Sequence, residues 1–439
     1  MRQLFWLRRR PGPRKKPGIV ATADCLAVCA NNSQAVPAMS ESEILLSICV
    51  PTYNRQFLLE RNISFHLKSF RELGISFEIV VVDDCSTDNT AEYMKSLAHV
   101  PEISAFRRAS NSGFVSNYAF AMRRAKGRYA VFLGDDDLLI PEKVVEYLRL
   151  MEADPDLGMI QAPWLLVDAR PGRGDMGPFY RIPGPTRFAR GDFRGLLDFI
   201  LAWHVFPEFL IVRRDVLDKT ISGGTPFIFW AYLYTTRALD KAGVMFVPEP
   251  FARVTAVSDD PRMQQGNNEC MFQWDTYRGG LEYLASQSWK GQQPTPLDYQ
   301  NTTEKIMDFM YKRQSVALRL HIQTKNWVEA YILYHRMAAY KEITLPGTSV
   351  DMLRKLAGVA MAASEATSFN ALPAIVDPAL TADLINLLPA KVQERLTRNV
   401  PMGAEDGGRA WLKLDPRFGE PMRPQDAAFN VSSYVDQFI

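Results

Sequence analysis

The chain predicts an α/β fold: a mostly parallel sheet flanked by helices, followed by a helical C-terminal extension. Three observations predict it. From Glu43 to about residue 153, apolar strand-sized runs alternate with amphipathic segments. Each of three runs stops in a polar cluster, "PTYNR", "DDCSTDNT" or "GDDD". Beyond residue 286, amphipathic helical patterns take over. Such alternation requires crossover helices on both faces of the sheet. Ligands of such sheets bind outside the carboxyl ends of the strands, so the three clusters mark one candidate site.

The elements follow in order. "ILLSICVPTYN" reads as a buried strand that stops at Pro51. "RQFLLERNISFHLKSF" carries Phe57, Leu58, Ile63, Leu67 and Phe70 at helical spacing. "FEIVVVDDCSTDNT" is a second buried strand, and Thr87 or Asp88 is placed to cap the helix "NTAEYMKSLAHV". A short strand "ISAFRR", a helix "FVSNYAFAMRRA", a strand "GRYAVFLGDDD" and a helix opening at Pro141 complete the alternation. Between 158 and 257 the pattern is less regular. "LGMIQAPWLLVD", "EFLIVRRDVL" and "VMFVPEPFARVT" read as strands, "WAYLYTTRALDKAG" as a helix and "SDDPRMQQGNN" as a loop.

Bulk properties divide the chain. At 439 residues it exceeds one compact core. The division expected is a basic tail at 1–43, an α/β domain at 44–285 and a helical region at 286–439. A formal charge of +2 gives no argument for a nucleic-acid partner. That charge is uneven, because "MRQLFWLRRRPGPRKKPG" holds seven Lys and Arg and no acid; the remainder sums to about −5. The tail reads as a solvated, disordered segment, with an electrostatic foot on anionic lipid as the sharper alternative. No stretch spans a bilayer without charge, so the expectation is a cytoplasmic protein, with peripheral contact at the inner face of a membrane allowed. Five cysteines, with Cys25 and Cys29 lacking a second pair, suit reduced thiols better than a zinc site.

The chemistry starts at Asp135, Asp136 and Asp137. Carboxylates on a loop beyond a buried strand can hold Mg²⁺ or Mn²⁺ and leave positions for phosphate oxygens; one Asp capping the helix at Pro141 is the plainer use. In "VVVDDCSTDNT", an aspartate at the strand end can accept from a base N–H while its neighbour reaches ribose hydroxyls. Tyr53 could stack on a base.

Taken together, "SICVPTYNR", "EIVVVDDCSTDNT" and "NSGFVSNYAFAMRRAKGRYAVFLGDDDLLIPEKV" resemble the family-2 nucleotide-diphosphosugar glycosyltransferases of the Rossmann-like GT-A fold. Asn111, Gly113, Asn117, Ala125 and Gly127 recur in order between the second and third clusters. The resemblance covers 44–150 well, thins toward 257, and is silent on the tail and the C-terminal third. It implies a nucleotide site lined by Pro51, Tyr53, Arg55, Asp83, Asp84, Asn111 and Asp135, with Asp84 meeting the base. It also implies a metal held by Asp136 and Asp137. The family's D-x-D spacing before Pro141 puts its second Asp on Asp136 but its first on Gly134. The Glu-Asp pair that many inverting members use as base would fall on Trp230 and Ala231, which cannot take a proton. That segment resembles instead the subset that transfers deoxy sugars such as abequose in O-antigen assembly, some of which are retaining.

A general base must then come from elsewhere. Glu208, bracketed by Phe206, Pro207 and Phe209, and His204 are the candidates, with Asp259 and Asp260 on the loop beyond. Arg213, Arg214, Arg253 and Arg262 could hold diphosphate. The expected activity is metal-dependent transfer of a sugar from a nucleotide-diphosphate donor to a saccharide or lipid-linked saccharide in polysaccharide synthesis. The rival is a non-catalytic sugar-nucleotide binder that has lost its base. A dehydrogenase is disfavoured, since no G-x-G-x-x-G follows the first strand, and a nucleotidyltransferase would need a Gly-rich loop where "PTYNR" stands.

Overall fold

The structure is a computed structural model that describes residues 43–222, 230–260, 276–345, 347–369, 371–399, 408–419 and 422–438, with Met263 and Phe272. The basic tail, Cys25, Cys29, Arg262 and most of the loop after Asp260 lie outside the described residues.

The body is an eight-stranded sheet in the order β3-β2-β1-β4-β10-β6-β11-β9. Its first half is β1 (Leu46–Thr52), β2 (Phe77–Asp83), β3 (Ile103–Arg107) and β4 (Tyr129–Phe132), all parallel. Every residue of β1, β2 and β4 is buried, as runs such as "EIVVV" demand when helices cover both faces. The register aligns Thr52 with Asp83 and Asp83 with Arg107, so these strands end together. Cys49, wholly buried on β1, has its thiol pushed up by burial and by the charge of Glu78.

The connecting helices are α1 (Gln56–Glu72), α2 (Thr90–Ser96), α3 (Phe114–Met122) and α4 (Pro141–Ala153), which starts on proline as expected. Two differences from the sequence reading stand out in α1. Phe57 is 54% exposed, while the buried stripe is Leu58, Leu59, Asn62, Ile63, His66 and Phe70. Two polar side chains therefore lie in the core-facing stripe.

The second half of the sheet mixes directions. β10 (Phe209–Arg213) runs antiparallel to both β4 and β6 (Leu157–Ala162). β11 (Gly243–Phe246) is parallel to β6, and β9 (Thr186–Phe188) closes the edge antiparallel to β11. Two runs that read as single strands are each broken in two. Pro163 separates β6 from β7 (Leu165–Asp168), and "VPEP" separates β11 from β12 (Ala252–Val257). Proline cannot continue a ladder, so the chain changes sheets at these points. β12 pairs with β5 (Leu138–Leu139) and β7, and β8 (Asp175–Pro178) completes this four-stranded sheet beside the acid loop.

Covering helices are α5 (Phe193–Trp203), α6 (Arg214–Thr220), α7 (Trp230–Lys241) and α8 (Thr276–Ser288). The C-terminal region is helical at first: α9 (Pro296–Gln323), α10 (Trp327–Ala338) and α11 (Val350–Ser368). A capping box of Thr295 and Asp298 starts α9, and Ser349 caps α11. The chain then adds an unforeseen four-stranded parallel sheet, β14-β13-β15-β16. Its strands are β13 (Ala374–Val376), β14 (Leu396–Thr397), β15 (Ala410–Lys413) and β16 (Ala427–Asn430). They are too short for a period to show in sequence. One hydrophobic core runs from Leu45 through Leu284, Phe309 and Leu356 to Phe438.

Candidate active site

The carboxyl ends of β1, β2 and β4 bring three polar clusters together. After β1, Asn54 turns through the left-handed region (φ 55°), and after β2 Cys85 does the same (φ 67°). Short polar Asn tolerates this; Cys rarely does. The two turns are laced: Asn54 N donates to Ser86 Oγ at 2.7 Å, and Asn54 Oδ1 accepts from Thr87 N at 2.7 Å.

Pro51 is buried within β1, opposite Val82, and shapes the strand end through backbone alone. Tyr53 stands out at the rim, 42% exposed. Asp83 is fully buried, accepting from Ser86 N at 2.9 Å, from Ser86 Oγ, and from Arg107 at 2.9 Å. Asp84 accepts from Ser112 Oγ at 2.7 Å, Ser112 N at 3.0 Å and Gly113 N at 2.9 Å. It thereby ties down the loop that carries Asn111, whose Oδ1 caps Gly113 N at 3.0 Å. Both aspartates thus shape this edge through their side-chain bonds.

The tri-aspartate turn follows β4. Asp135 is buried; its Oδ2 accepts from Thr52 Oγ1 at 2.6 Å and its Oδ1 from Arg55 at 2.7 Å. Arg55 also reaches Asp136 at 3.4 Å. One guanidinium therefore serves two of three adjacent carboxylates. Burial pushes Asp135 up to about 6, with Arg55 opposing and Asp136 adding to the rise. Asp137 is also raised, well above the usual carboxylate range, by burial and then by the charges of Asp136, Glu208 and Asp135.

Glu208 arrives from the other direction. Because β10 is antiparallel to β4, with Ile211 opposite Val131, its first end meets the last end of β4. Continuing that register sets Glu208 opposite Gly134. Its charge raises Tyr118 as well as Asp137, after burial has done so. Tyr118 belongs to an aromatic group with Phe132 (4.6 Å between ring centres), Trp230 (4.7 Å) and Tyr234 (5.8 Å). Trp230, where the resemblance would set a Glu-Asp pair, is therefore spent on packing. Phe114, 49% exposed, extends the group toward the rim.

His204 lies elsewhere. It ends α5 in the left-handed conformation (φ 53°), stacks on Phe309 at 5.1 Å and accepts from Lys312 of α9. Burial, then Lys312 and Arg313, lower it to about 4. Its described contacts face the C-terminal helices, not the acid turn. The expected phosphate-binding role of Arg213 and Arg214 meets the same reversal of β10. They sit at its far end, holding Asp215 and the carbonyl of Lys126 respectively, at the opposite sheet edge. Arg253 pairs with Asp175 at 3.1 Å.

Gly134 tests whether the acids suit a divalent cation. A Cβ there would lie 2.9 Å from Asp137 Oδ2 and 3.0 Å from Asp136 Oδ1, so the two carboxylates converge over the one residue lacking a side chain. Hard oxygen donors whose mutual repulsion Arg55 offsets only in part fit Mg²⁺ or Mn²⁺. Among the described residues no group of three or more His, Cys, Asp and Glu forms a full metal cage. Asp136 and Asp137 would thus share the ion with ligand oxygens and water.

Sequence reasoning missed Thr52, Asn62 and His66, and named Asn117 only as a recurring motif position. Asn117 Nδ2 donates to Val82 O at 3.0 Å and Thr52 O at 3.4 Å, joining the ends of β1 and β2. The signal for Asn62 and His66 was their place on an apolar stripe.

The doubly wound sheet thus carries its acid turn and paired aspartates together at one carboxyl edge. Residues 47–220 match the model of Glycosyl transferase family 2, which is similar to this part of the chain. An uncharacterized glycosyltransferase of Haemophilus influenzae is 30% identical over 120 residues, 27% of this chain and 38% of that protein. The putative teichuronic acid biosynthesis glycosyltransferase TuaG of Bacillus subtilis is 31% identical over 26% of this chain and 44% of its own length. The abequosyltransferase RfbV of Salmonella typhimurium is 29% identical over 26% and 34%. The matches thus span less than half of each of these relatives.

Proposed function

We propose that this chain transfers a sugar from a nucleoside-diphosphate donor to a hydroxyl of a saccharide or lipid-linked saccharide, in the making of a polysaccharide, with Mg²⁺ or Mn²⁺ as cofactor. The observation that carries this reading is the meeting of Arg55, Asp135, Asp136, Asp137 and Glu208 at the carboxyl edge of the part of the chain that matches family 2. The names of TuaG, a putative teichuronic acid biosynthesis glycosyltransferase, and RfbV, an abequosyltransferase, support the polysaccharide role.

The residues divide the work. Tyr53 offers its ring to the base, and the loop held by Asp84 offers Asn111 and its backbone to the nucleoside. Arg55 keeps Asp135 and Asp136 in place and adds one positive charge beside the diphosphate. Asp136 and Asp137 would hold the cation, whose charge neutralises the departing diphosphate when it is bound. Glu208 is the proposed proton acceptor: as the acceptor oxygen bonds to the anomeric carbon, the sugar–phosphate bond breaks toward the diphosphate and the hydroxyl proton passes to the carboxylate. The aromatic group beside Glu208 limits water at this point. His204, turned toward Phe309 and Lys312, is left out of the reaction. Peripheral membrane contact rests on the basic tail alone; among the described residues no helix is long and apolar enough to cross a membrane.

The test is a titration of the full chain with UDP-, dTDP-, CDP- and GDP-sugars and Mn²⁺, following binding and release of nucleoside diphosphate. One donor should bind and turn over, chelation by EDTA should stop turnover, and Asp136→Asn should abolish it. Absence of binding and hydrolysis with every donor would overturn the reading. Tight binding without turnover, unaltered by EDTA, would favour the non-catalytic binder.

A further inference from the structure

We propose that Asn62 and His66, both on α1, are positioning residues that hold the turn at 134–139 in the shape in which Asp136 and Asp137 converge over Gly134. The inference rests on the metal-dependent reading above. Asn62 Nδ2 donates to both flanks of the acid turn, the carbonyls of Gly134 at 3.1 Å and Asp137 at 2.8 Å. His66 Nε2 accepts from the backbone N–H of Leu139 at 3.0 Å. An acceptor at Nε2 places the ring proton on Nδ1. There it meets the Asn62 carbonyl at 2.7 Å and Asn62 Oδ1 at 3.1 Å. With Oδ1 held by the imidazole, Nδ2 is the end of the amide left to grip the turn. Arg61 adds a bond to the carbonyl of Asp136 at 3.2 Å.

The cost of this arrangement argues that the turn, not the helix, requires it. Asn62 and His66 are both fully buried, in a stripe otherwise made of Leu58, Leu59, Ile63 and Phe70. Apolar side chains would satisfy that stripe with no polar group to desolvate. The turn has the opposite need. Three consecutive carboxylates repel one another, and the side-chain ion pairs described for them come from Arg55 alone. Fixed backbone keeps the carboxylates together against that repulsion, as outer partners fix the ligands of metal sites generally.

The experiment titrates Mn²⁺ alone into the full chain and follows loss of the free-ion EPR signal, with thermal unfolding as a check on folding. Asn62→Ala and His66→Leu should weaken Mn²⁺ binding by about 10- to 100-fold. His66→Gln should stay within about threefold of the parent, because its amide can still accept from Leu139 and donate to Asn62. Cooperatively folded Asn62→Ala and His66→Leu variants with unchanged Mn²⁺ affinity would overturn the inference. If Asn62→Ala does not fold, the contrast between His66→Leu and His66→Gln decides alone. A parent chain that binds no more Mn²⁺ than Asp136→Asn would defeat the metal reading itself, and the positioning role with it. The parent curve therefore separates the two failures.

Discussion

Glu208 shows how a single carboxylate gains a role from its surroundings. It stands opposite Gly134 at the end of the β4–β10 ladder, close enough for its charge to raise Asp137 and the buried Tyr118. Replacing it with glutamine keeps the shape and removes the proposed proton acceptor. Glu208→Gln should lower kcat by about 10²- to 10⁴-fold with little change in KM for the donor, as steady-state kinetics would read. An equal loss in His204→Gln would contradict the assignment. Glu208 was picked from sequence for its apolar bracket, but its neighbours were not legible. They depend on β10 reversing direction, and nothing in "EFLIVRRD" records the direction of a strand. The same reversal removed Arg213 and Arg214 from the site, although in sequence they look as well placed as Arg55.

At the scale of elements, the turn between β4 and β5 carries the densest information. Its acids were plain in the sequence, and so was the shift of the D-x-D spacing onto Gly134. The structure supplies the reason for glycine there, since a methyl group would press on Asp136 Oδ1 and Asp137 Oδ2. Gly134→Ala should therefore splay the two carboxylates and weaken Mn²⁺ binding by about tenfold, while the melting temperature moves by only a few degrees. A calorimetric Mn²⁺ titration beside thermal unfolding checks both halves. The helix α1 was recognised by its period, yet its two buried polar residues were read past. A periodicity count weighs apolar positions and passes over a polar side chain sharing their face, although such a residue needs a partner when buried.

For the whole molecule, His66 couples folding to acidity. Burial lowers it to about 4 in the folded chain, against 6.5 ordinarily. Between those values the unfolded chain binds a proton that the native one refuses, so stability rises with pH through this window. The contribution is fully present above about pH 6.5 and is lost as the pH falls toward 4, up to about 3 kcal/mol for one site. Chemical denaturation of His66→Gln at several pH values should show a shallower fall than the parent over that range. Identical slopes would refute the assignment. The composition shift at 286 falls within α8, which packs on α5 and α7. The later helices join the same core through Phe309 and Leu356. The small C-terminal sheet escaped the sequence reading because "AIV", "AWLK" and "AAFN" offer no span over which alternation can be told from chance.

Cys49, threaded through the middle of β1, gives this architecture a built-in clock. An alkylating reagent can reach that sulphur only when strands separate, whereas Cys85 lies partly open at the rim of the cleft. The mass gained by the peptide containing Cys49 then counts how often the molecule comes apart, with no dye or added substrate.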